Sequence, residues 1–190
     1  MSIRSIRSVA LAALLAAATA QAPAQTQGPF AGVDVNALVM QTPGVTKVFN
    51  EVNTGRPFVK VELDGKLQGE GFISTGSVAT GQTIDGDWLM TVPLDSGTVH
   101  GVYAALVYRA TDTGPGFLGT LTSKGGKLDL TIHDGHVFAI APVYSKHDEA
   151  CCPSHKVIKR ILYNESKGGL VEVSRTVVDL SPPAPSPTPQ

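Results

Sequence analysis

Lys127-Leu128-Asp129-Leu130-Thr131-Ile132-His133-Asp134-Gly135-His136-Val137-Phe138-Ala139-Ile140-Ala141 is the stretch that decides the fold of this 190-residue chain. Its first run alternates apolar and polar side chains with the period of a β-strand, and its second is almost wholly apolar. Between them, Asp134-Gly135 is a pair that tolerates the positive φ required at both centres of a two-residue type I′ turn. Pairing outward from that turn sets His133 opposite His136, Thr131 opposite Phe138 and Asp129 opposite Ile140. Leu128, Leu130 and Ile132 then share a face with Val137, Ala139 and Ala141, and that face is the expected core. Pro142 is expected to end the ladder or to mark an edge.

The same pattern extends in both directions. Upstream, Phe58 to Leu63 alternates, Asp64-Gly65 turns the chain, and Leu67 to Ile73 returns as a partner strand. Trp88 to Val92 and Val102 to Arg109 read as strands, the second so continuously apolar that a central position is predicted. Phe117 to Thr122 follows as a shorter strand. Downstream, Val157 to Tyr163 and Leu170 to Val178 form a last pair around Asn164-Glu165-Ser166-Lys167-Gly168-Gly169. Twenty glycines and thirteen prolines break the chain into short pieces. Helical patterning is confined to Val33 to Met40, which opens on Asp34, and to Val45 to Val52, with Pro43 between them. The fold class is mainly β, α+β at the N-terminus: about seven strands in one antiparallel sheet, curled into a small barrel or folded into a sandwich, with one or two short N-terminal helices.

Both ends differ from this middle. Residues 1–24 read as a signal peptide, in which Arg4 and Arg7 precede the Ala/Leu-rich run Val9 to Ala18, with cleavage expected after Ala20 or Ala24. That run is short of the roughly 20 apolar residues of a membrane span. Residues 181–190, Ser181-Pro182-Pro183-Ala184-Pro185-Ser186-Pro187-Thr188-Pro189-Gln190, alternate proline with small residues and should form an extended tail. Residues 28–180 are then a single β-rich domain. A periplasmic or secreted location follows from the leader. Only 16% of residues are charged, against a usual value of about 25%, and the formal net charge is -1. That balance attracts neither nucleic acid nor an anionic membrane.

Both cysteines lie side by side in His147-Asp148-Glu149-Ala150-Cys151-Cys152-Pro153-Ser154-His155. The run Asp134-Gly135-His136-Val137, a polar loop from Tyr144 to Ala150, Cys151-Cys152-Pro153-Ser154, then Lys156-Val157-Ile158-Lys159-Arg160 resembles small exported bacterial proteins and lipoproteins of the LppP/LprE-like kind. The resemblance implies an exported β-rich domain carrying a cysteine pair in a loop, and implies no activity. No N-terminal lipoprotein cysteine is present near either cleavage position.

Physically, two adjacent thiols in an oxidising compartment can be strained into a ring, joined to another chain, bound to a metal or buried for packing alone. A disulfide between Cys151 and Cys152 spans α-carbons about 3.8 Å apart, closer than the 4.4–6.8 Å of ordinary bridges, and would stiffen the loop or serve as a thiol switch. Alternatively, His147, Cys151, Cys152 and His155 supply a soft four-ligand set suited to zinc or copper. Pro153 and the opposed directions of adjacent side chains weigh against that convergence, so the structural disulfide is preferred and no cofactor is expected.

His133 and His136 at the hairpin tip, Asp85-Gly86-Asp87 and the Asn164-Glu165-Ser166 sequon read as turns rather than as sites for a metal, calcium or a glycan. No Gly-x-Ser-x-Gly, phosphate loop or His-Glu-x-x-His is present. The expectation is a non-catalytic, envelope-associated binding or structural module, with an envelope component or small ligand as partner. The alternative is a metal-binding or thiol-switch protein.

Overall fold

In the computed structural model, described for residues 28–97, 102–123, 126–149 and 152–180, two antiparallel sheets pack as a sandwich beside one short helix. The helix α1 is Val35–Gln41. The strands are β1 Val45–Asn50, β2 Pro57–Leu63, β3 Lys66–Ile73, β4 Ala79–Gln82, β5 Trp88–Asp95, β6 Val102–Thr111, β7 Gly114–Thr122, β8 Asp129–His133, β9 His136–Val143, β10 His155–Asn164 and β11 Gly169–Asp179. The expected leader and proline-rich tail lie outside the described residues.

The first sheet runs β1-β2-β3-β5-β6-β7, with β4 also on β5. One flank of β5 is shared: β3 pairs with its last residues, and β4 with its first four. The second sheet is the meander β8-β9-β10-β11. Among the described residues, eleven strands in two sheets replace the single sheet of about seven expected from sequence, and no ladder joins the sheets into a barrel. The reason lies in β5 and β6, whose residues Leu89 to Leu94 and Ala104 to Tyr108 are all buried. Met90, Val92, Leu94, Ala104, Leu106 and Tyr108 pack with Phe30, Val35 and Val39 on the helical side. Leu89 packs on the other side with Leu128, Val137, Ala139, Ala141 and Ile161. A lone sheet would leave one of these faces in water.

The hairpin read from the sequence is present in its predicted register: His133 opposite His136, Thr131 opposite Phe138 and Asp129 opposite Ile140. Asp134 and Gly135 have φ of 45° and 75°, and Asp64 and Gly65 repeat this at 51° and 70°. Pro142 lies beyond the last β8 pair yet still stands opposite Lys156, so it ends one ladder and continues the other.

The helix expected over Val45 to Val52 is strand β1. Gly44, at φ 80°, brings the chain so close to β2 that an added Cβ would lie 2.1 Å from the Glu62 carbonyl oxygen. The Glu62 amide donates to the Gly44 carbonyl at 2.8 Å. The β-branched Val45 and Thr46 then gain partners on β2, Val61 and Lys60, which outweighs the weak local helical pattern.

Seven residues are too few for α1 to persist alone. Asp34 caps it, accepting from the Ala37 amide at 3.0 Å. At its far end the Thr42 hydroxyl donates to the Leu38 carbonyl at 3.0 Å, and the Tyr108 phenol, 2.8 Å away, donates to Thr42. Burial pushes the Tyr108 pKa up to about 12, so the phenol stays a donor.

The β8–β9 turn is docked onto the β4–β5 turn: a Cβ on Gly135 would lie 2.3 Å from the Ile84 backbone nitrogen, whereas one on Gly65 would meet nothing within 4 Å. Gly65→Ala should therefore cost only the left-handed strain, about 1–2 kcal/mol, and Gly135→Ala roughly twice that or more. Urea denaturation of both variants measures the difference, and equal costs would show that the docking contributes nothing.

Candidate functional site

On β6, alternation sends Ala104, Leu106 and Tyr108 toward α1 and Tyr103, Ala105, Val107 and Arg109 toward the second sheet. The middle of this inter-sheet space is packed, and its two ends differ. At one end Arg109 Nη1 donates to Glu165 Oε1 at 2.9 Å and lies 3.7 Å from Asp87 Oδ2. Its guanidinium also sits 4.5 Å over the Tyr163 ring. The Glu165 hydrogen bond, above all, holds the Arg109 pKa above its ordinary value. A side chain from each sheet and from two turns thereby closes that end.

The other end is open and forms a cleft of about 870 Å³. Its floor is the inner face of β9 and β10, where Ala139 and Ala141 stand opposite Lys159 and Val157. Two alanines in place of larger side chains leave the space unfilled. From the first sheet come Thr122, Ser123 and Tyr103. Tyr103 is the extra residue of a bulge, since Leu94 pairs with Ala104 and Asp95 with Val102. Pro142, Val143 and Tyr144 form the rim.

Two cations reach this cleft. Lys159 and Arg175 face each other directly across β10 and β11, an arrangement that is repulsive unless a counter-charge is supplied. Glu172 supplies it: Arg175 Nε and Nη2 donate to its two oxygens at 2.8 and 3.1 Å, and Lys159 Nζ stands 3.6 Å away. The Arg175 hydrogen bonds are the main reason that the Glu172 pKa is lowered. One carboxylate thus serves two cations. None of these residues was singled out from the sequence; their only local signal was the basic run Lys156 to Arg160.

The described residues of the cysteine loop, 144–149 and 152–154, adjoin the rim. The loop's organiser is Asp148, a residue the sequence reading passed over. Asp148 accepts from the Ser145 amide at 2.6 Å and hydroxyl at 2.5 Å, and from the Ser154 amide and hydroxyl at 2.8 Å each. The Ser145 hydroxyl first, then the Ser154 amide, hold its carboxyl well below the usual carboxylate range. Because the Ser154 hydroxyl proton goes to Asp148, its oxygen accepts from the His155 Nδ1–H at 2.7 Å. The Cys152 amide donates to the Glu149 carbonyl at 3.0 Å. The spacing Ser145-x-x-Asp148 carried a signal for this reach-back of a carboxylate to the amide three residues before it, as in a capping box.

Of the sequence-predicted ligands, His147 is exposed on the loop, His155 begins β10 with Nδ1 engaged, and Cys152 is not a free thiol. Cys151 lies outside the described residues. Among the described residues no three His, Cys, Asp or Glu side chains gather where they could hold a metal ion, so His147, Cys152 and His155 do not converge. At the hairpin tip, His133 pairs with the Asp134 carboxylate at 3.1 Å and His136 Nδ1 with the Asp134 carbonyl at 2.6 Å. Asp85-Gly86-Asp87 is a turn, closed by the Thr83 amide donating to the Asp87 carbonyl. Asn164 caps the turn before β11 by accepting from the Lys167 amide.

Against models of protein families, curated proteins and solved structures, the chain finds no match. No helix among the described residues is long and apolar enough to cross a membrane.

A carboxyl whose folded-state pKa is depressed adds stability that is complete above its ordinary value, about 4, and fades as pH falls toward the folded-state value. Asp148→Asn should therefore melt below the wild type at neutral pH, with a gap that is constant down to about pH 4 and shrinks below it. Thermal melts of both proteins across that range test the assignment. A gap that is absent, or that persists undiminished at pH 2, refutes it.

Proposed function

We propose that this protein is an exported, non-catalytic binding module of the bacterial envelope, with the inter-sheet cleft as its ligand site and the cysteine loop as the rigid rim of that site. The cleft carries the proposal. Its volume falls within the roughly 300–1,000 Å³ of small-molecule sites, and most of its lining residues stand on strands, which favours a preformed cavity. Export is supported by the basic start and apolar run at the N-terminus, and by the likeness of Cys151-Cys152-Pro153-Ser154 and its flanks to exported proteins of the LppP/LprE-like kind.

In this reading Cys151 and Cys152 are joined as a neighbour disulfide, a covalent turn that works with Asp148 to fix the loop beside Tyr144. Such a clasp serves shape: the surroundings of Cys152 include no helix N-terminus to favour a reactive thiolate.

Two measurements test this function. A small-molecule extract of the cell envelope should raise the melting temperature of the stripped wild-type protein and leave Ala141→Phe, whose ring would occupy the cleft, unmoved. No rise, or an equal rise in the two proteins, would overturn the cleft assignment. Thiol titration of the native protein without reductant should find no reactive sulfur, and both cysteines should react after reduction and unfolding. Immediate labelling of the native protein would replace the clasp with a thiol switch.

A further inference from the structure

We propose that the cleft takes a single-chain anionic amphiphile, a fatty-acid-like carboxylate whose head lies at Lys159 and Arg175 and whose tail runs along Leu128, Ala139, Ala141 and Val157. This rests on the reading of the cleft as a ligand site and adds the chemical class of the ligand. Charge complementarity argues for it. Among the described residues lining the cleft, the charged ones are Lys159 and Arg175, both cations, and the carboxylate beside them, Glu172, is shared by the two.

The two cations are not equally satisfied. Arg175 holds Glu172 through two hydrogen bonds, whereas Lys159 Nζ, at 3.6 Å, stands beyond the 2.7–3.2 Å range of a hydrogen bond to it. The Lys159 side chain is only 29% exposed. An ammonium on a partly buried side chain, with its nearest carboxylate 3.6 Å away, has donors to offer, and a ligand carboxylate accepts from them in a charge-assisted geometry. Next to this charged corner the floor is apolar, because Ala139, Ala141, Val157 and Leu128 offer only hydrocarbon. A charged group at one end and an apolar trough at the other select a molecule divided in the same way. A fully polar anion would leave the trough unfilled, and a neutral hydrocarbon would leave the two cations with only the Glu172 carboxylate that they share.

The experiment compares three twelve-carbon probes of equal chain length, dodecanoate, dodecanol and dodecyltrimethylammonium, by calorimetric titration of the full chain below their micellar concentrations. Dodecanoate should bind at least tenfold more tightly than either of the others. Lys159→Met, which keeps the side-chain length and removes the charge, should weaken dodecanoate about tenfold or more and change dodecanol less than threefold. Arg175→Gln should shift the two probes in the same direction and serves as the second variant if Lys159→Met melts in the titration range. Ala141→Phe should abolish binding of all three. Equal affinity for dodecanoate and dodecyltrimethylammonium, or an unchanged dodecanoate affinity in folded Lys159→Met, overturns the proposal. If envelope extract stabilises the wild type but not Ala141→Phe while dodecanoate does not bind, this inference fails and the binding function stands; if neither acts, both fail.

Discussion

Strands β5 and β6 carry apolar side chains on both of their faces, and every other part of the structure answers to that constraint. Full burial of one large aliphatic side chain is worth about 1.5–3 kcal/mol. Leaving either face of this pair in water would forfeit several such contributions at once. The helical side is covered by α1 and Phe30, although α1 is too short to be stable by itself. The opposite side is covered by a separate four-stranded meander. The helix is thus kept by tertiary burial and by the Tyr108–Thr42–Leu38 hydrogen-bond chain, rather than by its own propensity.

Stacked sheets lie about 10 Å apart, and the side chains between them decide whether that space is filled. Val137 and Ile161 fill it near the middle, and Arg109 with Tyr163 and Glu165 seals one end. At the other end Ala139 and Ala141, although they belong to the same cluster as Leu89, are too small to fill the space toward the first sheet, and a bulge in β6 turns Tyr103 into the gap. Cleft and core are therefore one continuous inter-sheet space that differs only in side-chain size. The same strands that stabilise the fold hold Lys159 and Arg175 in place, so their positions follow from backbone pairing across β10 and β11.

The cysteine loop follows a different logic, because its order is mainly local. Asp148 gathers four donors from Ser145 and Ser154, which lie on either side of the cysteines, and Leu180 returns to donate to the Ser154 carbonyl at 2.7 Å. The cysteines drew attention in the sequence because adjacent thiols are chemically conspicuous. Asp148 did not, because an aspartate in a polar loop is ordinary until its partners are known.

What the sequence determined by itself is what short-range chemistry controls. The register of β8 and β9 was legible because a two-residue turn with positive φ at both centres leaves one pairing, and Asp34 announced α1 as a cap. The burial of β6 on both faces was legible because a strand without alternation has no polar side to give to water, although β6 lies next to the edge strand β7 rather than at the centre of its sheet. Val45 to Val52 was misread because a short apolar run fits helix or strand alike, and the approach of Gly44 to Glu62, which settles it, joins residues far apart in the chain. The division into two sheets, the short β4 and the cleft were decided only by tertiary structure. The cleft's walls come from positions between Tyr103 and Arg175 on five strands and their connections, and no local pattern encodes which small side chains will face each other across a sandwich.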